Sequence, residues 1–160
     1  MKVSVGKISP VSALDFERVE HFFGCALGEE LLLFYGQYNG AILSLNELSG
    51  KLRGAIGINA FVPIDKVIGV IERFPFAKNF LPIAWAEGGN YIVINLSDGQ
   101  IYFVDHELDE GYIKVASNLG DFLDKLVPSE PLTSLPEGVT VGNVWVDPDF
   151  LKRVQSGEFD

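Results

Sequence analysis

From Leu81 to Asp105 the chain reads LPIAWAEGGNYIVINLSDGQIYFVD, three short apolar runs separated by Glu87-Gly88-Gly89-Asn90 and by Ser97-Asp98-Gly99-Gln100. Turn-forming residues at that spacing between alternating hydrophobics predict a three-stranded antiparallel meander. A two-residue Asp98-Gly99 turn would pair Leu96 with Ile101 and Ile94 with Phe103. A Gly88-Gly89 turn would pair Trp85 with Ile92 and Ile83 with Ile94. Alternation then gives a core-facing side of Leu81, Ile83, Trp85, Ile92, Ile94, Leu96, Ile101 and Phe103. Tyr91, Val93, Asn95, Tyr102 and Val104 fall on the other side. That mixed face is either covered by the C-terminal segment or open to a partner.

The flanks supply helices. Ser12 reads as an N-cap, with Asp15 in the first turn, Gly24 as the stop, and Phe16, Val19, Phe22 and Phe23 as an apolar stripe. Glu29 to Tyr38 repeats the pattern through Leu31, Phe34, Tyr35 and Tyr38, and Asn39-Gly40 reads as a left-handed cap. Ala41 to Leu45 and Ala55 to Val62 are strand candidates. Pro63 opens a helix carrying Ile64, Val67, Ile68 and Ile71, which Pro75 stops. Gly69 inside it costs roughly 1 kcal/mol relative to Ala, which suggests a close packing contact. Tyr112 to Ala116 is a further strand, and Ser117 caps a helix with Leu119, Phe122, Leu123 and Leu126 inward. Pro128, Pro131 and Pro136 mark a linker before a strand-like Val139 to Val146 and an amphipathic tail from Pro148 to about Gln155.

This order gives an α+β fold: an antiparallel or mixed sheet with a central meander at about 81–105, packed by helices. Residues 1–127 form one domain, and 128–160 a Pro-rich linker with a C-terminal strand and helix packing on it.

With 22 acidic against 12 basic residues the net charge is −10. Nucleic acid is a poor partner for such a surface, because phosphates are bound by clustered Lys and Arg. Solubility accounts for acidity as readily as steering toward a basic partner does. The single cysteine, Cys25, excludes a disulfide framework. The absence of a signal-like apolar segment or a membrane-length run points to the cytoplasm, with no membrane partner.

Chemistry-bearing motifs are missing. His21 and His106 have no third nitrogen or sulfur ligand, so no metal is expected. His106-Glu107 lacks the Pro-Cys-x-x-Cys partner of a deaminase zinc site. There is no G-x-S-x-G elbow, no phosphate-binding glycine loop, and Cys25 reads as a small buried or semi-buried position. No catalytic residue and no cofactor is therefore expected. A two-carboxylate hydrolase is a weaker alternative, because acidic chains offer many carboxylate pairs.

Three stretches together resemble the SUKH superfamily, which includes the yeast cell-wall-assembly regulator and bacterial immunity proteins. Gly28 to Ala41, GEELLLFYGQYNGA, is similar to the family's helix ending in Asn-Gly. Phe80 to Glu107 resembles its P-I-A-x-x-G-G-D and D-x-x-G-x-V-Y meander. Val115 to Leu126, VASNLGDFLDKL, resembles its closing helix. Gly28 stands where the family often has Pro, and Asn90 where it often has Asp. The resemblance covers about Ser12 to Val127. It implies a protein-binding domain without catalysis, an immunity protein that neutralises a secreted toxin of nuclease or deaminase type encoded nearby. A regulatory or scaffold module without a toxin is the alternative.

An acidic inhibitor suits a basic toxin, since opposite charge speeds association. Tyr91, Asn95 and Tyr102 of the mixed face, with Asp105, Glu107, Asp109 and Glu110 of the loop that follows, are accordingly the residues expected to meet the partner.

Overall fold

The computed structural model describes residues 6, 8–43, 46–49, 56–108 and 111–128. Apart from Pro128, the expected linker, C-terminal strand and tail lie outside the described residues, as do Ser44 and Leu45 of the first strand candidate.

Helix α1 (Ala13–Phe23) starts at a reciprocal capping box. The Ser12 hydroxyl accepts from the Asp15 backbone N–H, and the Asp15 carboxylate accepts from the Ser12 N–H. Such a cap contributes about 1 kcal/mol. The helix ends at Gly24, and the Glu20 carboxylate then accepts from Leu27 N–H at 2.8 Å, fixing the turn into α2 (Glu29–Tyr38). Val19 of α1 and Leu31, Phe34 and Tyr35 of α2 enter the core. Phe22 does not: it is 47% exposed, and Cys25 is exposed as well.

Asn39 is fully buried at the end of α2. Its amide hydrogens go to the carbonyls of Ser9 (3.2 Å) and Pro10 (3.1 Å), and its Oδ1 accepts from Ile64 N–H at 2.8 Å. Its backbone N–H and carbonyl are bonded to Tyr35 and Ser9. One side chain thus joins the N-terminal segment, α2 and the start of the next helical turn. Leaving such an amide unpaired in the interior costs about 1–3 kcal/mol per group. The left-handed residue is Gly40 (φ 70°), not Asn39. A Cβ on Gly40 would meet Ser9 Oγ at 2.9 Å and Pro63 Cγ at 3.0 Å, so glycine is required by space as well as by conformation.

Seven strands build one sheet: β1 (Glu47–Leu48), β2 (Ile56–Phe61), β3 (Phe80–Ala86), β4 (Tyr91–Asn95), β5 (Ile101–Val104), β6 (Tyr112–Ala116) and β7 (Leu126–Val127). The order is β6-β5-β4-β3-β2-β1-β7, and every pair is antiparallel. The fold is α+β, and the meander runs on from three strands to six in chain order. A 3-10 turn at Ile64–Lys66 leads into α3 (Val67–Arg73) between β2 and β3, and α4 (Leu119–Asp124) joins β6 to β7. Leu81, Ile83, Ile92, Ile94 and Ile101 of the sheet share one buried cluster with the inward residues of all four helices.

Several local expectations are corrected. Gly69 is exposed and a Cβ there would meet nothing within 4 Å, so it is not a packing glycine. The N-cap of α4 is Asn118, whose Oδ1 accepts from Asp121 N–H at 2.8 Å, one residue later than Ser117. Leu126 is buried, but in β7 and not on α4.

Candidate functional site

The register of the meander decides which side chains can act together. Between β4 and β5, Ile94 opposes Ile101 and Ile92 opposes Phe103, two residues away from the register of a two-residue turn. The connection is the longer loop Leu96–Gly99, held by Gly99 N–H to Asn95 carbonyl (2.8 Å) and Asn95 N–H to Gln100 carbonyl (2.9 Å). A shift of two preserves the facing of each side chain. Between β3 and β4 the change is larger in effect. A bulge between Pro82 and Ala84 puts Ala84 opposite Ile92 and Trp85 opposite Tyr91. An extra residue reverses the alternation beyond it. Trp85 consequently stands half-buried in the row of Tyr91, and it still packs against the core cluster, as do the half-buried Leu96 and Phe103.

The mixed face is less open than alternation suggests. Val93 and Val104 are both buried yet stand outside the main cluster. Phe74 and Phe76, from the segment leaving α3, lie 5.3 and 5.1 Å from the ring of Tyr91. Phe80 lies 5.4 Å from Tyr102 and 4.8 Å from Tyr112. Ala77 N–H donates to the Tyr112 hydroxyl at 2.8 Å, tying the same segment to β6. Phe74, Phe76, Phe80 and Tyr112 are thus site neighbours that strand alternation does not name. The Phe-Pro-Phe sequence is the available signal, although its reach across the sheet depends on the tertiary path.

The seven expected partner residues divide by place. Tyr91 stands opposite Val104, at the end of the sheet where Asp105 begins the acidic loop. There the loop is joined to the β3–β4 turn through His106, whose backbone N–H donates to Asn90 Oδ1 at 3.1 Å. Its Nδ1 lies 2.8 Å from the same oxygen. Asp105 Oδ1 accepts from Glu107 N–H at 3.0 Å, an Asx turn that leaves Glu107 and Leu108 projecting, Leu108 at 58% exposure. Glu87 of the neighbouring turn is exposed too. Tyr91, Asp105 and Glu107 are therefore brought to one end; Asp109 and Glu110 lie outside the described residues.

Asn95 and Tyr102 are not part of that end. Asn95 is four residues along β4, roughly 13 Å away at the usual strand rise, and its Oδ1 accepts from Ser97 N–H within the turn. Tyr102 donates its hydroxyl to Gln100 Oε1 at 3.2 Å and stands opposite the exposed Lys114. The carboxylates gather at the Tyr91 end.

A second concavity lies on the helical side. Leu14, Glu17, Arg18, His21 and the exposed Phe22 of α1, with Ile68 of α3, line a groove of about 540 Å³. It holds both charge signs, so charge does not select a basic partner there. Among the described residues no group of three or more His, Cys, Asp or Glu is placed to hold a metal ion, and no helix is long and apolar enough to cross a membrane.

Residues 10–125 match the SMI1 / KNR4 family (SUKH-1). The chain belongs to that family. The matched residues of this SUKH-1 domain take in the capping box, Asn39, the six-strand meander and α4, while Ser9 and β7 lie just outside them. The chain is also similar to the SPbeta prophage-derived uncharacterized protein YokK of Bacillus subtilis (strain 168), 35% identical over 94% of this chain and 83% of that protein. It is 28% identical to Protein Syd of Shewanella frigidimarina (strain NCIMB 400), over 82% of this chain and 65% of that protein.

Proposed function

We propose that this SUKH-1 chain is a non-catalytic protein-binding domain, an immunity protein that neutralises a cognate secreted toxin of nuclease or deaminase type by direct contact. Membership of the family is the observation that carries the reading. The net charge of −10 supports it further, since an enzyme acting on nucleic acid needs a basic surface around its substrate site and an acidic inhibitor complements that surface.

The contact surface in this reading is the Tyr91 end of the sheet. Rigid aromatic rings there sit beside Asp105, Glu107 and Glu87, an arrangement of apolar anchors with a charged rim. Cytoplasmic residence follows from the role, because the producing cell must be protected from within.

Co-purification with the product of the adjacent open reading frame tests the reading. The expected result is a complex whose association rate falls as salt rises, because screening weakens attraction between opposite charges. A neighbouring gene without any toxin domain, or failure of the two products to associate, would refute it.

A further inference from the structure

The step Asn39–Gly40 is the only Asn-Gly pair in the chain. Asn-Gly is the dipeptide in which a side-chain amide is most readily lost. The glycine nitrogen, unshielded by any side chain, attacks the asparagine side-chain carbonyl carbon; the new N–C bond closes a succinimide, and ammonia leaves carrying the amide nitrogen and the proton of the glycine N–H. Water then opens the ring to aspartate, or to isoaspartate when the main chain is rerouted through the side-chain carbon. The balance is ammonia out and water in, without an oxidant or reductant.

We propose that Asn39–Gly40 is a latent deamidation site which the fold holds shut, so that unfolding decides when it reacts, and that the reaction is one-way for the molecule. Ring closure must bring the Asn39 side-chain carbon onto the Gly40 nitrogen. The three hydrogen bonds to Ser9, Pro10 and Ile64 hold that side chain in place, and no part of Asn39 is exposed to water. Beside Gly40 the space is tight, since even a Cβ there would meet Ser9 Oγ at 2.9 Å and Pro63 Cγ at 3.0 Å.

The product does not fit the cradle. A carboxylate is acceptor-only, and the carbonyl oxygens of Ser9 and Pro10 that received the amide hydrogens would face another oxygen. The Ile64 N–H bond alone survives. An ionised group in a buried position without a counter-ion is strongly disfavoured. Each unfolding episode thus carries a chance of permanent removal from the folded pool. The inference rests on the fold alone and not on any partner.

The test follows amide loss at Asn39 by peptide mass spectrometry, holding the full chain in mildly alkaline buffer with and without denaturing urea. Folded domains populate the unfolded state at about one part in a thousand or less, so conversion without urea is expected to be slower by roughly a thousandfold or more. Equal rates in the two conditions would overturn the protection. The converted chain, returned to native buffer, is expected to remain unfolded or to unfold at lower urea than the unconverted chain. Recovery of the original midpoint would overturn the one-way step. Asn39→Asp gives the homogeneous counterpart, and the measurement on the unsubstituted chain stands even if that variant does not fold.

Discussion

The ring of Phe76 stands edge-on to that of Tyr91, with centroids 5.1 Å apart and planes at 87°. Phe76 belongs to the segment leaving α3 and Tyr91 is the first residue of β4, so this pair fastens a connection onto the sheet face beside the acidic loop. Edge-to-face aromatic pairs contribute about 0.5–1.5 kcal/mol beyond the area they bury. A double-mutant cycle of Phe76→Ala and Tyr91→Ala in chemical denaturation is expected to give a coupling energy of that size. Strict additivity would show that the rings are neighbours without interaction.

Tyr35 is fully buried between the rings of Phe16 and Phe34, and its hydroxyl has no hydrogen-bond partner among the described residues. Burial alone pushes its ionisation well above the ordinary 10.0. The unfolded chain therefore releases this proton first as pH rises, and the fold loses stability above pH 10.0 from this group. Tyr35→Phe is expected to be neutral or stabilising by up to about 1 kcal/mol at neutral pH, because it removes an unpaired polar group. The variant should also lose less stability than the parent in alkaline melts. A substantial loss at neutral pH would mean that the hydroxyl is bonded after all.

Gly69 lies in the interior of α3, with open space where a Cβ would sit. Replacing it by alanine reduces the backbone entropy lost on folding without a steric penalty. Gly69→Ala should raise the unfolding free energy by about 0.5–1 kcal/mol. An unchanged or lowered denaturation midpoint would show that the helix is not formed there as described.

Asp121 accepts from Ser117 N–H at 2.8 Å and pairs with Lys125 at 3.0 Å. The backbone hydrogen bond first, and then Lys125, hold its carboxyl below the ordinary carboxylate value of 3.8. A lowered folded-state value contributes stability above 3.8 that is lost as pH falls through the folded value. Asp121→Asn should therefore lie below the parent in melting temperature near neutrality, and the gap should close as the solution becomes acidic. A gap that is the same at every pH would remove the carboxylate from the explanation.

The part of the fold legible in the sequence is the part decided by local chemistry. Ser12, Asp15 and Gly24 announce α1 because capping is decided within a few residues, and the bounds of α2 and β6 follow from periodicity. Pattern fails where one extra residue or a distant contact decides. Pro82 is the warning of the bulge, since proline inside a central strand is confined to such irregularities. Strict alternation passes over it and places Trp85 in the core row, whereas Trp85 stands opposite Tyr91. Nor does alternation show that the Asn95 oxygen accepts from Ser97 N–H, two residues on. The role of Asn39 is invisible for another reason: Ser9, Pro10 and Ile64 meet it only once the helices have packed.

The most direct test of the proposed role is to assay the purified product of the adjacent open reading frame for toxin activity with increasing amounts of the chain. The account requires that activity fall to zero at equimolar chain, and that Tyr91→Ala combined with Glu107→Lys need a larger excess for the same effect. Full toxin activity in the presence of excess folded chain would contradict it.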